Sequence, residues 1–347
     1  MGVQLLAGET AYKEIREAGL RPQRIRLMVG ASGGPKWLML SRLDQYLARQ
    51  LLTPQSTQTL TLLGSSVGAW RMACYARSDA AAAFREFETI YLDQRYSRPI
   101  RPEAISDYLN KVLNHLFPAE KARHIVLNSQ RCLNIVAVRN RRYLNGRSRL
   151  AQGVPLLTAA VGNVISPEVV KVLYPRVVIG PSQGESPYAK TPEHIELTEE
   201  NLHQALIASG AIPMVMAPAR IQGGKDRWYW DGGVVDYHFS GPFNVSDGLV
   251  FYPHFSPRLI PGWFDKGLAW RRIRPEHYHN VVLLTPTQDF IDRLPYGKIP
   301  DRKDFETLPD SERERYWRTV LDATNHLVET LDNALQRDAG RSLLKPL

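Results

Sequence analysis

Two strand–loop–helix units follow one another near the start of the sequence, and they constrain the fold more than any other feature. In the first, a β-type run at 25–29 leads into a glycine-rich loop and then into leucines at helical spacing. In the second, a strand at 60–63 is followed by a sharp turn at 64–68 and a helix at 69–76. A third strand is expected at 133–138. Strands that alternate with helices indicate a mainly parallel sheet with helices on both faces, so we expect a three-layer α/β/α fold.

Shorter elements are expected in the second half of the chain. A helix is predicted at 198–209, with Thr198 as its N-cap and Gly210 at its end. Further strands are predicted at 215–221, 228–230, 249–252 and 281–284.

A long helix is predicted near the C-terminus. Ser311 and Glu314 form a capping-box pair, apolar residues at 317–335 mark one helix face, and Gly340 follows as a stop. We therefore divide the chain into a main domain at 1–300 and a helical extension at 301–347 that packs on the same domain.

The composition is typical of a folded protein. Hydrophobic residues make up 44% of the 347 residues and charged residues 23%, which argues against global disorder. Only two cysteines are present, which argues against a disulfide-stapled secreted protein. The first ten residues do not form a signal peptide, and no apolar stretch reaches the roughly 18 residues of a membrane span, so we expect a cytoplasmic location.

The formal net charge of the chain is +9. This charge favours anionic partners, whether nucleic acid, lipid headgroups or acidic substrates.

The turn of the second unit has the pattern Gly64-x-Ser66-x-Gly68. A nucleophilic serine must stand clear of the sheet, and a strained strand-to-helix turn with glycines on either side exposes its oxygen. The helix that follows stabilises negative charge at its N-terminus. The same pattern also occurs in tight turns without any catalytic role, so alone it leaves both interpretations open.

The loop of the first unit, at 30–37, has the sequence Gly-Ala-Ser-Gly-Gly-Pro-Lys-Trp. The main-chain N–H groups of Gly33, Gly34 and Lys36 could donate to an oxyanion. The alternative is a phosphate-binding P-loop, in which Lys36 would be in place. However, Pro35 replaces the second glycine and Trp37 replaces the metal-binding Ser or Thr, which disfavours a nucleotide site.

A third motif, Asp231-Gly232-Gly233, follows a predicted strand. A carboxylate fixed at a strand end beside glycines could take a proton from Ser66. An Asp-Gly turn that closes a hairpin is the structural alternative.

In their order and context the three motifs resemble those of patatin-like phospholipases. The loop at 33–36 corresponds to the family's oxyanion loop, 64–68 to its G-x-S-x-G and 231–233 to its D-G-[GA]. A fourth segment, at 208–213, is similar to the family's helix-ending Ala-Ser-x-Ala-x-Pro. The resemblance covers roughly residues 25–233.

The resemblance implies a lipid acyl-hydrolase with a Ser-Asp dyad and an acyl-serine intermediate. Ser66 would be the nucleophile and Asp231 the base, while the N–H groups of the Gly33-Gly34 loop and of Val67 would bind the oxyanion. We expect a lipid ester as substrate and no nucleic acid partner. We expect no cofactor or metal, since no His, Cys or Asp cluster has the spacing of a metal site.

Two departures from the family pattern keep other interpretations open. Trp37 stands where the family usually has glycine, and the segment at 234–238 lacks the family's Asn-x-Pro. A catalytically weak lipid-binding or regulatory protein on the same fold is therefore the main alternative. A Ser-Asp-His triad is another, because four histidines lie downstream of Asp231: His238, His254, His277 and His279. The absence of an HGGG-type segment favours the dyad.

The loop at 253–279 is rich in aromatic and basic residues. Trp and Phe beside Arg and Lys suit the boundary between lipid headgroups and acyl chains. One hypothesis is therefore that Trp263 and Phe264 are exposed near the mouth of the Ser66 pocket and contact an anionic membrane peripherally. The interpretation that we favour is that these aromatic side chains pack the loop onto the domain.

Overall fold

A mixed sheet lies at the centre of the protein. The structure is a computed structural model, which describes residues 2–50, 59–96, 102–140, 149–182, 186–188 and 193–347. In this part of the chain the strands are β1 (Val3–Ala7), β2 (Ile25–Gly30), β3 (Leu60–Ser65), β4 (Arg131–Arg139), β5 (Arg176–Gly180), β6 (His194–Glu196), β7 (Tyr229–Asp231), β8 (Leu249–Pro253), β9 (Val281–Pro286) and β10 (Leu344–Pro346). Their order is β10-β1-β9-β8-β2-β3-β4-β5-β6, and β7 pairs with β4 outside this path.

Most neighbouring strands of the sheet are parallel. The antiparallel pairs are β1–β9, β4–β5 and β4–β7, and the other six pairings between the described strands are parallel. β8 and β9 are buried along their whole length, as expected for parallel strands that are covered on both faces. The predicted mainly parallel α/β fold is confirmed.

Helices flank the sheet. The α-helices of the described residues are α1 (Glu9–Ala18), α2 (Ser41–Gln50), α3 (Val67–Ala76), α4 (Ala80–Leu92), α5 (Pro102–Leu116), α6 (Ala119–Leu127), α7 (Arg149–Ile165), α8 (Pro167–Leu173), α9 (Leu202–Gly210), α10 (Gln288–Asp292), α11 (Asp304–Thr307) and α12 (Asp310–Asp338). α3 packs on β2, β3 and β4, and α9 packs on β4 and β7. Both helices therefore lie beside the strands that carry the motifs.

The predicted C-terminal helix is present as α12. It buries Trp317, Leu321 and Leu331 and packs on α2, where Tyr46 Oη donates to Asp332 Oδ1 at 2.7 Å. The helix begins at Asp310, so Ser311 lies inside its first turn and is not its cap. β10 follows α12 and pairs with β1, which attaches the C-terminal segment to the main sheet. The domain boundary at residue 300 stays a prediction.

Several predicted elements differ from those observed. The expected strand at 215–221 is wrong: of its residues only Ala219 pairs, through an isolated bridge to Tyr229. Pro218 interrupts this segment and cannot donate to a strand. The helix expected from Thr198 begins at Leu202, because Thr198 and Asn201 exchange hydrogen bonds in the turn before it. Among the described helices, none is long and apolar enough to cross a membrane.

Candidate active site

β4 brings the two expected catalytic residues together, because β3 and β7 both pair with the same edge of β4. β3 runs along the first part of β4 and ends where Ser65 lies opposite Val136. β5 occupies the other edge of β4. β7 arrives from the opposite direction, takes the place beyond the end of β3, and ends with Asp231 opposite Ala137. The ends of β3 and β7 therefore face each other along β4. This places Ser66, the residue after Ser65, next to Asp231.

The turn between β3 and α3 holds Ser66 in a sparsely populated backbone conformation, with φ 55° and ψ −132°. Such conformations are uncommon for residues other than glycine and cluster at active sites. The flanking glycines let this turn lie close to β2. A Cβ at Gly64 would lie 2.5 Å from the carbonyl oxygen of Gly68, and one at Gly68 would lie 2.0 Å from that of Gly30. Both positions therefore need glycine.

Ser66 and Asp231 form a buried hydrogen-bonded pair. The Ser66 hydroxyl donates to Asp231 Oδ2 at 2.9 Å, and the Gly233 N–H donates to Asp231 Oδ1 at 2.7 Å. A Cβ at Gly232 would lie 2.4 Å from the carbonyl oxygen of Val136, so the Asp-Gly-Gly segment packs directly on β4. The segment does not close a hairpin, because β7 pairs with β4.

Burial changes the acidity of this carboxyl group. Asp231 is 6% exposed, and removal from water raises its pKa from 3.8 to about 6. The hydrogen bonds from Gly233 and Ser66 act in the opposite direction and limit the rise. A carboxylate with this pKa is ionised at neutral pH and is more basic than an ordinary aspartate, as a general base requires.

The glycine-rich loop lies beside this pair. Gly33, Gly34 and Lys36 line one cavity together with Ser66 and Asp231. Gly34 has φ 56°, a left-handed conformation that favours glycine. The Lys36 N–H is directed at the carbonyl oxygen of Gly33 at N···O 3.4 Å, which makes it a weaker candidate for an oxyanion donor than the two glycines.

Ser209 is a part of the site that the motifs did not single out. Its hydroxyl accepts a hydrogen bond from the Ser66 N–H at 2.8 Å and donates to the carbonyl oxygen of Val136 at 2.6 Å. Ser209 therefore connects the strained turn to β4. The available signal was its place in the Ala-Ser-x-Ala-x-Pro segment at 208–213.

Two cavities meet at Ser66. The smaller one, of about 270 Å³, is called the polar cavity because charged residues such as Lys36, Asp231 and Lys266 contribute to its lining. The apolar cavity, of about 350 Å³, lies on the other side; its lining includes Val67, Trp70, Phe87, Tyr91, Leu109, Val112 and Met216. Ser66, Gly34, Ile212 and Arg302 line both cavities. A bound ester could thus place different chemical groups on the two sides of the serine.

The two departures from the family pattern have structural explanations. Trp37 is fully buried, stacks on Phe87 with ring centroids 4.2 Å apart, and donates from Nε1 to Asp44 at 2.9 Å, so it lines neither cavity. In the segment at 234–238, buried Asp236 accepts a hydrogen bond from Arg176 Nη2 at 2.7 Å. This ion pair fixes the chain just after the Asp-Gly-Gly motif.

The downstream histidines do not join the pair. The Asp231 carboxylate bonds to Ser66 and Gly233, and among the described residues no histidine bonds to it or lines either cavity at Ser66. His238 is buried and its Nδ1 accepts from the Ile260 N–H at 2.9 Å. Burial lowers the pKa of His238 well below 6.5, so its ring is neutral. Within the described part of the chain, the Ser66–Asp231 pair therefore has no histidine partner.

The loop at 253–279 packs onto the domain. Trp263 and Phe264 are half-buried and contact a cluster that includes Val138 and Trp230, so the favoured packing interpretation is confirmed and the hypothesis that both side chains are exposed is wrong. Trp263 does line the polar cavity.

Within the part of the chain that the structure describes, no group of three or more His, Cys, Asp or Glu side chains is arranged so that it could hold a metal ion.

The fold and the site together define an α/β protein with a hydrogen-bonded serine–carboxylate pair at the end of a parallel strand. The family model of patatin-like phospholipase matches residues 57–238, more than half of the sequence. The chain therefore belongs to the patatin-like phospholipase family, and membership supports a lipid hydrolase function.

One solved structure shows a remote likeness. It is human GIVD cytosolic phospholipase A2, at 10% sequence identity and a TM-score of 0.35. The match covers 96% of this chain and 62% of that one, so the chain spans less than two thirds of the neighbour's length. No curated protein sequence matches the chain.

Proposed function

We propose that the protein is a serine lipid acyl-hydrolase that cleaves a carboxylic ester with the Ser66–Asp231 dyad. The hydrogen bond of 2.9 Å between the Ser66 hydroxyl and the Asp231 carboxylate, at the junction of the two cavities, carries the proposal. Family membership supports the lipid substrate, and the dyad assigns the chemistry to two residues.

In the first half-reaction, Ser66 Oγ attacks the ester carbonyl carbon while Asp231 accepts the hydroxyl proton. The carbonyl oxygen becomes an oxyanion, which the N–H groups of Gly33, Gly34 and Val67 stabilise. The bond to the alcohol oxygen then breaks, and the protonated Asp231 returns the proton to the leaving alcohol. Ser66 is left as an acyl ester.

In the second half-reaction, water attacks the acyl-Ser66 carbonyl and Asp231 takes a proton from it. The bond between the acyl carbon and Ser66 Oγ then breaks, Asp231 returns its proton to Ser66 Oγ, and the fatty acid leaves. No metal or cofactor enters either half-reaction. The apolar cavity suits the acyl chain, and the polar cavity suits the alcohol part of the ester.

The proposed substrate is a lipid ester, so we propose that the protein contacts membranes peripherally. We also propose a cytoplasmic location, which the presence of only two cysteines supports. Nucleic acid has no role in the chemistry.

Labelling and hydrolysis with Ser66→Ala test the proposal. The variant should lose fluorophosphonate labelling and ester hydrolysis while it keeps the thermal stability of the wild type. Ser65→Ala is the matched control, because Ser65 is buried one residue away and accepts a hydrogen bond from Ser32 Oγ at 3.1 Å. Loss of labelling in Ser65→Ala but not in Ser66→Ala would show that the wrong serine is assigned. If the unaltered protein takes up no probe, it is a lipid-binding or regulatory protein instead.

A further inference from the structure

Helix α7 presents apolar side chains to solvent. Its exposed positions among the residues with described side chains fall on one helix face: Val154, Leu157, Thr158, Val161, Val164 and Ile165. The five apolar side chains are between 53% and 84% exposed. Residues 153–165 include no charged side chain. The outer face of a surface helix is normally polar, so this arrangement indicates an interaction surface.

The opposite side of α7 is anchored to the protein. Pro155, Ala159 and Asn163 are buried there. The Asn163 side-chain amide donates to Asp265 Oδ1 at 2.7 Å, and Arg271 Nη2 donates to the Asn163 carbonyl oxygen at 2.6 Å. The exposed face is therefore not a consequence of a poorly packed helix.

Two further apolar side chains are exposed on segments that contact α7. Val172 of α8 is 51% exposed, and Trp270, the neighbour of Arg271, is 65% exposed. We use the term α7 face for these two residues together with the five apolar residues of α7.

Charge and position indicate what covers the α7 face. The segment at 263–274, which is bonded to α7 through Asp265 and Arg271, contains four basic residues and a single acidic one. The acidic residue, Asp265, is buried and ion-paired with Arg271. The same segment supplies Trp263 and Lys266 to the polar cavity at Ser66. An apolar face, an exposed tryptophan and a positively charged segment thus lie next to the candidate active site.

We propose that the α7 face is a docking surface for an anionic lipid membrane. The partner is inferred on the basis of the proposed lipid hydrolase function. The apolar side chains of α7 would enter the boundary between headgroups and acyl chains, Trp270 would lie at the same depth, and the basic segment would contact anionic headgroups. Because α7 is bonded to the segment that supplies Trp263 and Lys266 to the polar cavity, docking in this way would place that cavity close to the membrane.

Vesicle binding tests the proposal without depending on catalysis. The measurement uses Ser66→Ala protein and co-sedimentation with phosphatidylcholine vesicles that contain or lack phosphatidylserine. The substitutions Leu157→Gln plus Ile165→Gln remove two side chains from the α7 face, and Val161→Glu adds a negative charge there. Leu127→Gln is the matched control, because Leu127 is 66% exposed on α6, outside the α7 face.

We expect tighter binding to vesicles that contain phosphatidylserine. The α7 variants should bind them roughly tenfold more weakly or worse, since each loses apolar burial or gains repulsion, while Leu127→Gln should change binding by less than about twofold. With Ser66 restored, the α7 variants should hydrolyse a short soluble ester at the wild-type rate and melt at the wild-type temperature.

Several results would overturn the docking surface. Unchanged vesicle binding by both α7 variants, or an equal loss in Leu127→Gln, would show that the α7 face is not the contact. A dimer in light scattering that the α7 variants convert to a monomer, without vesicle binding, would show that a second copy of the chain covers it. These results leave the Ser66 labelling test unaffected, so failure of the dyad and failure of the docking surface are distinguishable.

Discussion

The Asp231→Asn substitution should remove activity and raise stability in the same protein. The asparagine oxygen can still accept the hydrogen bond that Gly233 N–H donates at 2.7 Å, so the shape of the site is kept. The amide group cannot accept the Ser66 proton. We expect kcat/KM for a soluble ester to fall roughly a thousandfold to ten-thousandfold, as in other enzymes that lose the group which orients or deprotonates their serine.

The gain in stability follows from the raised pKa of Asp231. In the unfolded chain the carboxyl group has a pKa of 3.8, and in the folded protein the pKa is about 6, so folding favours the protonated acid. The contribution of this carboxyl group to stability is therefore fully present below pH 3.8 and is lost as the pH rises through about 6. At about 1.4 kcal/mol for each pKa unit, the buried carboxylate destabilises the fold by about 3 kcal/mol near neutral pH. Asparagine carries no charge and avoids this cost.

Urea denaturation near pH 8 and near pH 4.5 measures the effect. Asp231→Asn should stabilise the protein at the higher pH and much less at the lower pH. Asp44→Asn is the control, because Asp44 is also buried but is paired with Arg71 at 2.8 Å. Its substitution leaves Arg71 unpaired and should cost about 3 kcal/mol or more. If Asp231→Asn destabilises as much as Asp44→Asn, the desolvation argument is wrong; if kcat/KM falls less than tenfold, the dyad is wrong.

Four other measurements test the site. The kcat/KM of the wild type should rise tenfold per pH unit below about pH 6 and level off above it, since the base must be ionised; a flat profile would contradict this. Gly68→Ala should lower the free energy of unfolding by about 3 kcal/mol or more, because its Cβ would lie 2.0 Å from the Gly30 carbonyl oxygen. Ser209→Ala should lower kcat more than it raises KM, as it leaves the Ser66 N–H without its acceptor; an unchanged kcat would show that Ser209 does not position the turn. Val112→Trp should fill the apolar cavity and reduce kcat/KM for long-chain esters more than for butyrate esters; equal losses would place the acyl chain elsewhere.

The parts of the fold that sequence reasoning predicted are those with strong local signals. β2 and β3 have apolar runs that end in glycine turns, and α12 has a long apolar face, so each was found close to its true position. β6 and β10 are three residues long and lie at the ends of the sheet order, and neither has an apolar run. Their pairing depends on strands distant in the sequence, which no local pattern shows.

The candidate site was predictable as a set of residues but not as a geometry. The motifs identified Ser66 and Asp231, whereas their contact depends on the register of β3 and β7 along β4. The hypothesis that Trp263 and Phe264 are exposed was wrong for the same reason. Composition indicated a membrane contact near these aromatics, but which side chains face solvent depends on how the loop packs against α7.

The shared edge of β4 also determines which changes in chain length the site can tolerate. Ser66 and Asp231 are 165 positions apart in the sequence, yet their separation in space is fixed by the single step from Val136 to Ala137. Segments that connect β3, β4 and β7 can therefore lengthen without changing the hydrogen bond. An insertion of one residue between Val136 and Ala137 would displace Asp231 by about 3.3 Å and turn the following side chains to the opposite face. Relatives of this protein should accordingly vary in their connecting segments and keep the length of β4.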